Sequence, residues 1–197
     1  MNVLVTGGAG YIGSALVERL VSEGYVVVSI DNLSRGDYKY LVKCRESPRV
    51  KLVVGDICDS EKLEGVLREG EGVSAVVHLA AVSGIESCQR NPREAILTNV
   101  YGTHNVLEAA RKYDIDKVVF ASSAAVYGNP VKTPVGEDHP LSPTNLYGVT
   151  KLAAERLLES YHASYGLDTV ILRFGNVYGV GVYTHWETVI PKFVSRH

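Results

Sequence analysis

Tyr147 and Lys151 stand four residues apart in Tyr147-Gly148-Val149-Thr150-Lys151, so on a helix they face the same way. A free phenol, with a pKa of about 10, is a poor base at neutral pH. A nearby ammonium and a positively charged nicotinamide stabilise the phenolate and make it a usable proton acceptor. The spacing also occurs on ordinary solvated helices, so its meaning comes from its setting. Ser122 and Ser123 follow the apolar run Lys117–Ala121, which reads as a parallel strand. Carboxyl ends of such strands are where ligands bind in open α/β sheets. A serine hydroxyl there can share a substrate oxygen with the tyrosine.

A second constellation opens the chain. Gly7, Gly10 and Gly13 follow the strand-like Val3–Thr6 and precede the helical run Ile12–Glu23. Without Cβ atoms the backbone can approach a pyrophosphate, and the helix start offers N–H groups and the positive dipole end. The spacing is Gly-x-x-Gly-x-x-Gly, not the commoner Gly-x-Gly-x-x-Gly. Asp31 ends the next strand, about 20 residues on, where a ribose hydroxyl needs an acceptor. The bland alternative is an ordinary tight βα turn. The legible strand, helix and Asp31 together favour a dinucleotide.

The elements that must position these groups alternate. Val3–Thr6, Val26–Ile30, Val50–Val54, Ala75–Leu79, Lys117–Ala121 and Thr169–Arg173 read as short strands apolar on both faces, as buried parallel strands are. Between them lie the helical stretches Ile12–Glu23, Ser60–Glu69, Pro92–Tyr113 and Thr144–Tyr165. Asp59 or Ser60 is the cap candidate for the second. Asn91 with Pro92 and Glu94 opens the third, and Ser142-Pro143 opens the fourth. Such alternation predicts right-handed crossovers and a doubly wound parallel α/β sheet of Rossmann type. Residues 1–173 form the cofactor domain on this basis. Residues 174–197 read as the start of an incomplete substrate-binding region, with Val189–Val194 opening a further helix.

Composition narrows the class. An apolar fraction of 46%, a charged fraction of 21% and a net charge of −2 fit a soluble globular protein without attraction to nucleic acid or anionic membrane. No apolar run approaches bilayer length, and no signal peptide is visible. Cys44, Cys58 and Cys88 suggest neither a disulfide framework nor a zinc site, which points to a reducing cytoplasm. No histidines pair at metal-ligand spacing, and His78 reads as a satisfied core residue. Asn99 lies on the apolar stripe of Ile96, Thr103, Val106, Leu107 and Ala110, so it needs a partner. A local structural hydrogen bond is its bland role.

Eight motifs, in order along the chain, carry a family resemblance. They are Thr6-Gly7-Gly8-Ala9-Gly10-Tyr11-Ile12-Gly13, Asp31-Asn32-Leu33, Gly55-Asp56-Ile57, His78-Leu79-Ala80-Ala81, Asn99-Val100-Tyr101-Gly102-Thr103, Ser122-Ser123-Ala124-Ala125-Val126-Tyr127-Gly128, Tyr147-x-x-x-Lys151 and Leu172-Arg173-Phe174-Gly175-Asn176-Val177-Tyr178-Gly179. With these the chain resembles the extended short-chain dehydrogenase/reductases, in the NAD-dependent epimerase/dehydratase family. Within it the chain is most similar to nucleotide-sugar epimerases of the UDP-glucose (UDP-galactose) 4-epimerase type.

The resemblance implies roles. Gly7, Gly10, Tyr11, Ile12 and Gly13 hold the pyrophosphate of NAD. Asp31 and Asn32 meet the adenosine ribose, with Ser34, Arg35 and Gly36 completing the loop. An acidic Asp31 favours NAD, while the Arg35 guanidinium leaves room for NADP. Asp56 and Ile57 flank the adenine. Leu79, Ala80, Ala81, Asn99 and Ser122 belong to the cofactor side, and Phe174 lies near the nicotinamide. Ser123, Tyr147 and Lys151 form the catalytic group. Ser123, Tyr147 and Asn176 contact the UDP-hexose. Tyr127, which lacks a lysine four residues on, packs beneath the nicotinamide side.

The implied reaction inverts C4 of a UDP-hexose through a transient ketone, with tightly bound NAD oxidising and then reducing the carbon. Dehydratases of the family carry an Asp-Glu pair, and decarboxylases a Glu, before the Val-Tyr-Gly segment. Here those positions are Ala124 and Ala125, and methyl groups cannot move protons. Gly175 stands where a larger residue is common, and Val180 replaces a usual proline. Trp186 could stack on substrate, though plain packing is its bland role. The resemblance also implies a homodimer through the two long helices. A non-catalytic NAD(H)-binding module is the alternative from another class. Another nucleotide-sugar oxidoreductase is the alternative within the family.

Overall fold

The structure is a computed structural model that describes residues 1–70 and 72–179. Six parallel strands form one sheet in the order β3-β2-β1-β4-β5-β6. They are β1 Asn2–Thr6, β2 Val26–Asp31, β3 Val50–Val54, β4 Val73–His78, β5 Lys117–Ser123 and β6 Asp168–Phe174. This is the doubly wound order, whose direction of winding reverses between β1 and β4. The crevice at that reversal lies beyond the carboxyl ends of the strands, where Thr6, Asp31, His78, Ser123 and Phe174 stand.

The helices are α1 Tyr11–Ser22, α2 Ser60–Glu69, α3 Ile85–Arg90, α4 Pro92–Ile96, α5 Thr103–Lys112 and α6 Leu146–Tyr165. One face of the sheet buries Leu4, Val76, Val118 and Phe120 against Leu63, Leu107 and Leu158 of α2, α5 and α6. The other face buries Val3, Val5 and Val27 against Val17 of α1 and Leu41. Strands apolar on both faces are therefore covered on both, and burial of these side chains dominates the fold's stability.

Asp59 caps α2 as expected, accepting from the Lys62 N–H, and Asn91 caps α4 from Glu94. Other expectations need correction. The single helix Pro92–Tyr113 is three pieces, because a π-helical segment, Leu97–Gly102, separates α4 from α5. Such an insertion has no period of its own to read. α3 is a short helix that the Gly84 turn conceals. α6 begins at Leu146 with Asn145 as its cap, not at Thr144 after Ser142-Pro143. The Asn145 side-chain oxygen accepts from the Gly148 N–H at 2.9 Å. A Cβ on Gly148 would lie 2.5 Å from the Ala125 carbonyl oxygen and 2.9 Å from Pro143 Cβ. The missing side chain lets the first turn of α6 close onto the end of β5, which brings Tyr147 beside Ser123.

No helix among the described residues is long and apolar enough to cross a membrane. Gly175 and Asn176 fall within them, whereas Val180, Trp186 and Val189–Val194 lie outside.

Candidate active site

A cavity of about 800 Å³ occupies the crevice beyond the strand ends. The glycine turn forms its floor. Gly7 has φ +74°, and a Cβ there would meet Ala80 N at 2.7 Å. A Cβ on Gly13 would overlap the Gly7 carbonyl oxygen and lie 2.7 Å from Gly8 Cα. Gly10 caps α1 without a side-chain bond, and the first turn carries no acidic residue. The N–H groups of that turn are left for an anion. Tyr11, Ile12 and Gly13 line the cavity from this end.

Asp31 ties the rim together. Its carboxylate accepts from Ala9 N at 3.0 Å and from Leu33 N at 2.8 Å. Asn32 donates to Asp56 at 2.8 Å and accepts from Ser34 N at 3.0 Å. Burial pushes the Asp56 carboxyl up, but the Cys58 N–H and the Asn32 amide outweigh it and hold the group below its ordinary value. Arg35 reaches across the opening and donates to the Ser83 carbonyl at 2.9 Å. Ser34, Gly36, Ile57, Leu79, Ala80 and Ala81 all line the same cavity.

At the other end stand Ser122, Ser123, Tyr147, Lys151, Phe174 and Asn176. Ser123 caps the 3₁₀ turn Ala124–Tyr127, accepting from Ala125 N at 3.2 Å, and hydrogen-bonds with Tyr147. Tyr147 packs with Val82, Cys88 and Ala95. Lys151 is 3% exposed. Its ammonium donates to the Ala121 carbonyl at 2.8 Å and sits 4.7 Å from the Phe120 ring centre. Burial lowers its pKa to about 8. Burial also holds the Tyr147 phenol above its ordinary value, with the Ser123 bond opposing. The expected lowering of the phenol by the lysine is thus not achieved by the protein's own groups; desolvation of the phenolate outweighs them.

Four placements differ from expectation or add to it. Asn99 does not line the cavity. It is 1% exposed, and its amide pairs with both backbone groups of Val82 and with Thr150. This is the structural bond that was its bland role. Tyr127 does not pack beneath the first cavity. It lines a second one, of about 970 Å³, and accepts a hydrogen bond from Arg173 at 3.0 Å. Ala124 also lines that second cavity. The Ser122 hydroxyl turns away to donate to Glu155 at 2.5 Å.

Glu155 was missed by sequence reasoning. It is fully buried, and Arg173 closes on it at 2.8 Å. The available signal was its position four residues after Lys151 on the same helical face. The rim formed by Ser83, Gly84 and Ser87 was also missed, because a short loop and the six-residue helix α3 are too brief to show a period. His78 is a satisfied core residue, bonded to Thr6 and Thr103. Burial lowers its pKa to about 3, so it is neutral. Among the described residues no group of three or more His, Cys, Asp or Glu could hold a metal.

A family model described as the NAD dependent epimerase/dehydratase family matches residues 3–197. A UDP-glucose 4-epimerase of Halalkalibacterium halodurans is 40% identical over 179 residues, covering 91% of this chain and 52% of that protein. The crystal structure of Thermus thermophilus UDP-glucose 4-epimerase in complex with NAD superposes with a TM-score of 0.84 at 39% identity, over 91% of this chain and 56% of that one. A dTDP-glucose 4,6-dehydratase from Streptomyces venezuelae, with NAD and TYD bound, gives a TM-score of 0.91 at 36% identity, over 100% of this chain and 62% of that one. The chain spans about half the length of the curated relatives it matches.

Proposed function

The chain belongs to the NAD dependent epimerase/dehydratase family, and on that premise we propose that it inverts C4 of a UDP-hexose such as UDP-glucose or UDP-galactose, using NAD held in the cavity beside the glycine turn. The observation that carries this is Ser123, Tyr147 and Lys151 meeting at one end of a cavity whose other end is the glycine turn. Residues 1–173 are the cofactor-binding domain, and residues 174–197 open the substrate-binding region.

The site fits the cofactor. Gly7 and Gly13 make a cradle that Cβ atoms would fill, and the uncapped start of α1 suits a pyrophosphate. Tyr11 and Ile12 belong to that same turn. Asp31 and Asn32 accept and donate at the adenosine ribose, with Ser34, Arg35 and Gly36 around it. Asp56 and Ile57 flank the adenine. Leu79, Ala80 and Ala81 present small side chains along the wall, and Phe174 closes the nicotinamide end. Asn99 supports that wall from behind. When bound, NAD supplies the hydride acceptor and donor, and in its oxidised form a positive ring.

Tyr147 takes the proton of the sugar hydroxyl at its phenolic oxygen and later returns one. Its raised pKa keeps it protonated until positive charge enters the cavity. Lys151, held by the Ala121 carbonyl, keeps a buried positive charge on the same helical face. Ser123 hydrogen-bonds the reacting oxygen and orients it towards Tyr147. Asn176 contacts the phosphates of the nucleotide sugar. Ala124 and Ala125 provide no second acid or base for elimination.

The similarity to dehydratases, at 36–37% identity, makes dehydration the second outcome to test. Incubation with UDP-galactose is expected to yield UDP-glucose. Formation of a 4-keto-6-deoxy sugar from dTDP-glucose instead would overturn the epimerase assignment. Bound NAD with neither product would make the chain a cofactor-binding module.

The protein forms a homodimer in this proposal. Leu97 and Tyr101 on the π segment and Val149 and Tyr165 on α6 are exposed apolar side chains that a second copy would cover. It acts in the cytoplasm, an assignment supported by three free cysteines.

A further inference from the structure

We propose that Asn99 and Thr150 are positioning residues for Tyr147, the near end of one buried hydrogen-bond chain that joins the Tyr147 carbonyl to the wall of the cofactor cavity. This rests on the role of Tyr147 proposed above.

The chain can be followed atom by atom. Ala80 N–H donates to Thr6 Oγ1 at 3.2 Å. The Thr6 hydroxyl lies 2.7 Å from His78 Nδ1, and His78 Nε2 lies 3.0 Å from Thr103 Oγ1. The Thr103 hydroxyl donates to the Asn99 carbonyl at 2.7 Å. Asn99 Nδ2 then donates to Thr150 Oγ1 at 2.9 Å and to the Val82 carbonyl at 3.0 Å. Asn99 Oδ1 accepts from Val82 N at 2.8 Å. The Thr150 hydroxyl donates to the Tyr147 carbonyl at 2.8 Å.

Only one arrangement of protons satisfies every link. Thr103 gives its proton to Asn99, so its oxygen must accept from His78 Nε2–H. His78 Nδ1 is then an acceptor and takes the Thr6 proton, which frees the Thr6 oxygen to accept from Ala80. Along this line every donor points from the cavity wall towards Tyr147; the side branch from Asn99 Nδ2 to the Val82 carbonyl runs back to the wall. Thr6, His78, Thr103, Asn99 and Thr150 are each no more than 2% exposed, so water cannot replace a missing link.

The π segment explains why Asn99 can do this. Its wider turn sets an inward-facing amide between two elements that are distant in sequence, the loop after β4 and α6. Val82 itself lines the cavity. A shift of that wall on ligand binding therefore moves Asn99, and through Thr150 it moves the first turn of α6. Reacting groups tolerate little displacement: about 1 Å can cost about 10²-fold in rate.

The test uses the whole chain with tyrosine labelled at 13Cζ, the Tyr147 resonance being assigned with Tyr147→Phe. Thr150→Val removes the hydroxyl at constant shape, and Thr150→Ser keeps it. Thr150→Val should shift the Tyr147 resonance and its response to saturating NAD, and Thr150→Ser should restore both. Thr103→Val, one link further back, should shift the same resonance less. In the UDP-galactose assay Thr150→Val should lower kcat about tenfold, while KM and NAD affinity stay within about twofold. A Tyr147 resonance unchanged in Thr150→Val, or in Thr103→Val should the first variant not fold, would overturn the proposal and leave a merely structural network. The resonance is read whether or not the chain turns over. If Tyr147→Phe epimerised like wild type, the functional assignment would fail while the hydrogen-bond chain was still judged on its own signal.

Discussion

The two ends of the cavity beyond the strand ends are built from opposite materials. The glycine end is backbone: its shape depends on side chains that are missing, and its polar groups are amides. The tyrosine end is side chain: a half-buried phenol, a buried ammonium and the buried Ser122 hydroxyl, each anchored by something behind it. Lys151 rests on the Ala121 carbonyl, Ser122 on Glu155, and Tyr147 on the Thr150–Asn99 pair through its own carbonyl. The first end fails when atoms are added. The second fails when atoms are removed.

Gly13→Val tests the first half of this contrast and has the largest expected effect. The new side chain would overlap the Gly7 carbonyl and Gly8 Cα, so α1 cannot keep its place against the turn. NAD affinity measured by calorimetry should fall more than about 100-fold, since backbone overlap in a packed turn has no cheap relaxation. Binding within a few-fold of wild type would show that the turn is not the phosphate cradle.

Tyr147→Phe addresses the other half. It removes one oxygen and leaves the ring among Val82, Cys88 and Ala95. The kcat for UDP-galactose conversion should fall about 10²- to 10⁴-fold, the usual worth of a positioned proton-transfer group. NAD affinity should stay within a few-fold. A loss of NAD binding as large as that of Gly13→Val would erase the distinction between the two ends.

Glu155→Gln strikes the support behind the tyrosine end. It leaves the Arg173 guanidinium, which Glu155 pairs at 2.8 Å, without its charge partner. Removing one member of a fully buried pair costs about 3–5 kcal/mol, and the part-exposed Arg173 puts this pair at the lower end of that range. Urea denaturation should show that loss, with little change at the glycine end. A near-neutral result would mean that Arg173, which also donates to Tyr127 and to the Glu137 carbonyl, holds its place without Glu155.

The contrast also explains what could be read in the sequence. The glycine end is local: strand, turn and helix are contiguous, and spacing alone tells where Cβ atoms cannot be. The six strands and the capped helix α2 were legible for the same reason. At the tyrosine end Tyr147, Thr150, Lys151 and Glu155 share α6, but the groups they meet lie on other elements. Asn99 lies inside a π segment that leaves no mark on a 3.6-residue pattern, and the two partners of its amide, Val82 and Thr150, are 17 and 51 residues away. The Glu155–Arg173 pair joins α6 to β6, 18 residues apart in the chain. Such residues are chosen by tertiary register, and one sequence does not print the register.

His78 offers the finest test, because it touches both ends through Thr6 and Thr103. Burial lowers its pKa from 6.5 to about 3. The unfolded chain therefore binds a proton near pH 6.5 that the folded chain refuses until about pH 3. Stability must fall as pH drops through this window, by about 2 kcal/mol between pH 6.5 and 5. The carboxyls held below their ordinary values, Asp56 and Glu108 among them, add to the loss only below their unfolded values near 4. The interval above pH 5 thus isolates the imidazole. Urea midpoints at pH 7, 6 and 5 should trace the decline. His78→Gln should lower the whole curve and flatten that interval. A slope unchanged in His78→Gln would place the titration elsewhere and remove His78 as the neutral joint between the two ends.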